Sequence, residues 1–129
     1  MRELKRADLQ TARARWVEAQ RFKVGVRRLL KREKVSFTQW MVLETVDELQ
    51  DPHGNFQCQV AEALCISERV ASYTIHALQQ RELLERDAED SPYGWNVALT
   101  REGKAVLARC REILAEAVRN YRLASAMAA

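Results

Sequence analysis

The chain has 129 residues, 47% hydrophobic and 30% charged, with a formal net charge of +3. That length suits one domain with a real core, and the composition excludes a disordered chain. No apolar run approaches the roughly 20 residues a spanning helix needs, and the opening Met-Arg-Glu-Leu-Lys-Arg has no signal-peptide core behind it, so a cytoplasmic protein with no membrane partner is expected.

Taken in chain order, residues 3–32 carry a helical pattern. Leu9, Ala12, Trp16, Ala19, Val26 and Leu30 recur near every third or fourth position, with arginines between them and Gly25 as the one interruption. A helix of that length runs roughly 40 Å by its rise, more than a small domain covers, so a second subunit is expected against it. Ser36-Phe37-Thr38-Gln39 is a capping-box pattern, and the helix it opens runs to about Leu49. Asp51-Pro52-His53-Gly54-Asn55 reads as a turn. A short helix follows at about 57–64, and Ser67 caps another at about 68–81. Strands at about 83–87 and 95–99 flank the hairpin tip Ser91-Pro92-Tyr93-Gly94. Thr100 caps a last helix, about 101–123, with a stripe of Val106 or Leu107, Cys110, Ile113, Leu114, Ala117 and Tyr121. Two short helices joined by a turn, followed by a hairpin, make a winged helix-turn-helix. The fold class expected is mainly α, with long N- and C-terminal dimerisation helices and a small β wing. The boundaries are 1–34 for the first dimerisation helix, 35–100 for the winged lobe and 101–129 for the last helix, all in one structural domain.

Charge is divided unevenly along this plan. Residues 1–34 hold 12 Lys/Arg against 4 Asp/Glu, residues 35–99 hold 3 against 11, and residues 100–129 hold 6 against 3. The ends are basic and the middle is acidic. Arg27, Arg28, Lys31, Arg32 and Lys34 form a dense run that suits either phosphate contacts or a solvated helix end.

The chemistry-bearing stretch is 66–86, "ISERVASYTIHALQQRELLER". On a helical wheel Val70, Ala71, Thr74, Ile75 and Leu78 share one side. Arg69, Ser72, Tyr73, His76, Gln79 and Gln80 share the other. The second face has no acid and is rich in groups that both donate and accept hydrogen bonds. Major-groove edges call for such groups, since Arg reads guanine, Gln reads adenine and Ser meets either. An ordinary solvated face would carry Lys and Glu instead. Three cysteines without CxxC spacing offer neither a disulfide framework nor a zinc site. Cys58, Cys65 and Cys110 read as packed small hydrophobes. If Cys58 and Cys65 share a helix they stand about 10.5 Å apart, too far to bridge. The two histidines, His53 and His76, find no metal-site partners in the pattern. With no phosphate loop or nucleophile elbow either, no metal, no cofactor and no enzyme activity are expected.

From about Val35 to Ala105 the chain resembles the MarR family of winged-helix transcription regulators. "VSFTQWMVL" resembles the opening of the helix before the helix-turn-helix. "VAEALCIS" resembles the family's Leu-Ala-x-x-Leu-Gly-Ile, the stretch 66–86 its recognition helix and Gly-Leu-Val-x-Arg exit, and "VALTREGKAVL" its Leu-Thr-x-x-Gly. The resemblance implies a sequence-specific double-stranded DNA-binding regulator, a homodimeric repressor on a pseudo-palindromic operator, released by a small aromatic or phenolic ligand. Positions that meet DNA correspond to Arg69, Ser72, Tyr73 and His76. Gln80 joins them on the same face, and Ser36 and Ser67 stand at helix starts where amides meet phosphates. Trp16, Phe22, Trp40 and Tyr121 are the pocket candidates.

Three departures from the family pattern stand out. Cys65 and Glu82 replace glycines, so these helix ends are expected to close without a left-handed residue. Ser91-Pro92-Tyr93 replaces the wing's Asp-x-Arg, leaving Tyr93 where the minor-groove arginine is expected. The acidic lobe and arginine-free wing also fit an alternative: a winged-helix dimer that binds a protein partner, as an anti-regulator or adaptor.

Overall fold

The computed structural model describes residues 3–49, 55–86 and 96–128. Its elements are α1 (Arg6–Leu30) with one 3-10 turn (Lys31–Glu33), α2 (Phe37–Glu48), β1 (Asn55–Phe56), α3 (Gln57–Leu64), α4 (Glu68–Gln80), β2 (Leu84–Arg86), β3 (Asn96–Leu99) and α5 (Arg101–Ala128). The helix-turn-helix is α3 and α4, and the wing sheet follows it. The mainly α winged helix-turn-helix expected from the sequence is the fold observed. The turn at 51–54, the wing tip with Tyr93, and Trp95 lie outside the described residues.

Helix starts follow the cap chemistry. The Ser36 Oγ accepts from the Gln39 amide at 3.0 Å, and the Gln39 Oε1 accepts from the Ser36 amide at 3.1 Å, completing the capping box. The Ser67 Oγ accepts from the Val70 amide at 3.1 Å.

Helix ends are less ordinary. Lys34, Cys65 and Glu82 all sit at positive φ, 54–61°. Each closes its helix with the same pair of bonds. Lys34 and Val35 donate to Lys31 and Leu30, Cys65 and Ile66 to Glu62 and Ala61, and Glu82 and Leu83 to Gln79 and Leu78. These are Schellman closures, in which the residue after the left-handed one turns back onto the helix. That residue is apolar each time, and Val35 and Leu83 are buried. The expectation that Cys65 and Glu82 would avoid the left-handed region is therefore wrong. Burial of the following side chain holds the closure, at about 1–2 kcal/mol of backbone cost for each non-glycine residue.

The sheet has three strands in the order β1-β3-β2, both pairings antiparallel. Leu84 faces Leu99, Glu85 faces Ala98 and Arg86 faces Val97, while Asn55 faces Val97 from the other side. β1 is absent from the sequence reading, because two residues are too few to show alternation. One core joins Val26 and Leu30 of α1, Trp40, Val42, Leu43 and Val46 of α2, Val60 of α3, Ile75 and Leu78 of α4, and Val106, Leu107, Cys110 and Leu114 of α5. Val70, on the apolar side of the wheel, is 44% exposed, so the buried face of α4 starts at Ala71. The N-terminal two-thirds of α1 has no core beneath it. Leu9 and Trp16 are 57% and 64% exposed, so the predicted stripe is buried only at Val26 and Leu30.

The joint between wing and α5 is tight. The Thr100 amide donates to the Leu83 carbonyl at 3.1 Å. The Thr100 hydroxyl donates to the Glu82 carbonyl at 2.6 Å and accepts from the Gly103 amide at 2.9 Å. A Cβ on Gly103 would lie 2.0 Å from the Leu83 carbonyl oxygen. The Leu-Thr-x-x-Gly pattern is thus a cap three residues ahead of a contact that admits no side chain. Gly103→Ala is expected to destabilise by at least the 1–3 kcal/mol typical of overpacking. A thermal melt of the variant checks this, and an unchanged melting temperature would refute the close contact.

Candidate nucleic-acid interface

α4 sorts its side chains cleanly. Ala71, Thr74, Ile75 and Leu78 are buried, while Arg69, Tyr73, His76, Gln79 and Gln80 are exposed and Ser72 is half-buried. Residues 69, 73, 76 and 80 lie four, three and four apart, so they form one straight stripe. The stripe is roughly 16 Å long by helical rise, or about five base pairs. Tyr73 is 77% exposed, a large amphipathic ring with no packing of its own to explain it. The Gln80 Nε2 and His76 Nε2 stand 3.2 Å apart, so these two side chains present their polar groups as a pair. Val70 at the rim is an addition that the wheel had assigned to the core. Ser36 and Ser67 spend an acceptor lone pair on their helix caps, and each keeps its hydroxyl proton for a further partner.

The acidic middle of the chain is partly neutralised from outside it. Arg111 of α5 donates to the Glu44 carboxylate at 2.7 Å and to Asp47 at 2.7 Å. Those two carboxylates raise the Arg111 guanidinium above its ordinary range. Arg109 bonds Glu33 at 2.7 Å, and this carboxylate likewise raises its guanidinium. Two of the three cations in the segment 35–99 are used internally. Arg86 donates to the Gln57 Oε1 at 3.1 Å and the Ser72 carbonyl at 3.4 Å, tying β2 to the start of α3 and to α4. Arg81 reaches the end of α1. Neither tie is legible in the sequence, because each partner lies distant in the chain or is a backbone carbonyl. Arg27, Arg28, Lys31, Arg32 and Lys34 are all exposed.

The four pocket candidates do not share one place. Phe22 and Tyr121 stack at 4.3 Å between centroids, joining α1 to α5. Phe37 meets Phe22 edge-on at 6.3 Å and Trp40 at 5.8 Å. Trp40 is a core residue, and its indole Nε1 is buried without a hydrogen-bond partner among the described residues. Trp16 stands exposed and apart. Phe22 and Tyr121 line a cleft of about 640 Å³ between α1 and α5, together with Gln10, Arg13, Val17 and Arg21. The Glu18 carboxylate lines it too, so an aromatic wall with two guanidinium groups and one carboxylate suits a planar phenolic guest.

The cysteines divide by burial. Cys110 is buried and burial pushes its thiol up to about 11, whereas Cys58 and Cys65 are exposed. The reading of all three as packed residues therefore holds for Cys110 alone. Among the described residues no group of His, Cys, Asp and Glu could hold a metal ion.

No family model matches the chain, and no curated protein does. Solved structures do. A MarR variant from E. coli complexed with operator DNA is 15% identical with a TM-score of 0.77, over 93% of this chain and 85% of that one. AbsC, a MarR family transcriptional regulator from Streptomyces coelicolor, is 16% identical with a TM-score of 0.76, over 94% and 82%. CouR from Rhodococcus jostii RHA1, bound to p-coumaroyl-CoA, is 19% identical with a TM-score of 0.70, over 80% and 71%. At such identities the fold is what is shared.

Thiolates are the reactive form of cysteine, so exposure and thiol acidity set the order of modification. With iodoacetamide near neutral pH, Cys58 and Cys65 are expected to react in the folded protein and Cys110 only on unfolding. Peptide mass spectrometry reads this directly, and equal labelling of all three would contradict it.

Proposed function

We propose that the chain is a sequence-specific double-stranded DNA-binding transcriptional regulator, acting as a homodimeric repressor on a pseudo-palindromic operator. It is a binding protein of the cytoplasm rather than an enzyme. The observation that carries the reading is the acid-free stripe Arg69, Tyr73, His76 and Gln80, flanked by Ser72, on the exposed side of the second helix of a helix-turn-helix. Arg69 suits guanine, Gln80 paired with His76 suits adenine or a purine N7, and Val70 at the rim suits a thymine methyl. Ser36 and Ser67 would place their helix-start amides near phosphates. Tyr93 at the wing tip would contribute backbone contact at most.

The exposed apolar positions Leu9 and Trp16 on α1 and Val118 on α5 support the dimer. They lie on the helices that stand off the core, and a second copy would bury them. The cleft beside Phe22 and Tyr121 is the place for a small aromatic or phenolic effector. A ligand there would act by favouring dimers whose recognition helices no longer match the half-site spacing. The rival reading, in which the acidic lobe meets a protein partner, loses ground because Arg111 already occupies Glu44 and Asp47.

Arg69→Ala and His76→Ala are each expected to weaken operator binding by about 1–3 kcal/mol. Unchanged affinity in both, measured by titration on duplex DNA, would remove the stripe from the interface. With Arg81 and Arg86 engaged internally, Arg69 is the one cation of the segment 35–99 left to meet phosphates, and the exposed run Arg27, Arg28, Lys31, Arg32 and Lys34 lies at the end of α1, outside that segment. The salt dependence of binding should therefore be shallower than that of proteins making 6–10 phosphate contacts. A slope in that range would contradict this account of the surface.

A further inference from the structure

The C-terminal end of α4 is held by more than its own closure. The Arg81 guanidinium donates from Nη1 to the Lys34 carbonyl at 2.6 Å and from Nη2 to the Glu33 carbonyl at 3.2 Å. Both acceptors belong to the turn that ends α1, where carbonyls lack helical partners and the dipole is negative. Arg81 itself stands at the C-terminal end of α4, so one forked cation serves two helix ends and joins them. The same turn is also held by Arg109 of α5, which bonds the Glu33 carboxylate.

We propose that Arg81 is a positioning residue for operator recognition: it fixes the angle of the recognition helix against the α1 arm, and with it the separation of the two recognition helices in a dimer. The inference rests on the DNA-binding reading above. Its physical basis is leverage. α4 reads DNA along about 16 Å from its C-terminal end, so a 10° swing about that end displaces Arg69 by about 3 Å. That is close to the ~3.4 Å rise of one base pair. A lysine would keep the charge at position 81 but could not fork onto two carbonyls.

The test compares Arg81→Ala and Arg81→Lys with the wild type on a duplex carrying its preferred inverted repeat, and on duplexes with one base pair inserted or removed between half-sites. The wild type should lose at least about tenfold in affinity on either spacing change. Both variants should bind the preferred duplex about tenfold more weakly and distinguish the three spacings by less than about threefold, with an unchanged salt slope and a cooperative thermal transition that shows each variant is folded. A slope lower by about one with spacing discrimination intact would make Arg81 a phosphate contact and overturn the proposal, as would wild-type behaviour of Arg81→Lys. A second measurement needs no DNA. Spin labels at Gln79→Cys, in a background with Cys58→Ser and Cys65→Ser, report the distance between recognition helices in the free dimer. Arg81→Ala should broaden that distribution, and an unchanged width would overturn the proposal. Broadening in a protein that binds no duplex would refute the DNA-binding reading and leave the positioning role standing.

Discussion

Much of this molecule depends on one backbone contact. The carbonyl of Leu83 lies where a Cβ of residue 103 would be, so α5 can leave the wing only if that residue is glycine. Leu83 is in turn placed by the closure of α4, through its amide bond to the Leu78 carbonyl. Thr100 bridges the two, capping α5 with one lone pair and bonding the Glu82 carbonyl with its proton. The direction of the last helix is therefore set by the end of α4. Arg81 and Arg109 add a second joint at the end of α1. The C-terminal end of α4 is thus tied to both long helices.

The charges follow the same logic. The acidic segment does not present its full charge, because Glu44 and Asp47 are held by Arg111 from the basic C-terminal part. Arg81 and Arg86 of that segment are bonded to the carbonyls of Glu33, Lys34 and Ser72 and to the Gln57 side chain. What remains outward on α4 is chiefly hydrogen-bonding and aromatic: Tyr73, His76, Gln79 and Gln80, with Arg69 as the cation among them. Such a surface favours base-edge contacts over non-specific phosphate attraction.

The helices and their starts were legible because caps and a 3.6-residue period leave local marks. Ser36, Ser67 and Thr100 all act as the sequence indicated. The helix ends were misread at Cys65 and Glu82, since the signal there is not the left-handed residue but the apolar one after it, half-buried at Ile66 and buried at Leu83. Val70 was misassigned because a wheel gives direction around an axis, not the depth of the neighbour it meets. Trp16 and Trp40 looked alike as pocket aromatics, yet one is exposed and the other is core. The roles of Arg81 and Arg86 had no sequence signature, since their partners include backbone carbonyls and residues up to 48 positions away. The wing tip, where Ser91-Pro92-Tyr93 departs from the MarR pattern that the sequence resembles, lies outside the described residues.

In the proposed regulator, two copies of the α4 stripe read one operator in fixed register. Selection of bound duplexes from random-sequence DNA by the purified protein tests it most directly. The account predicts enrichment of an inverted repeat whose half-sites are centred one helical turn apart, about 10–10.5 base pairs. A single unrepeated motif, or no enrichment at low salt and micromolar protein, would contradict it.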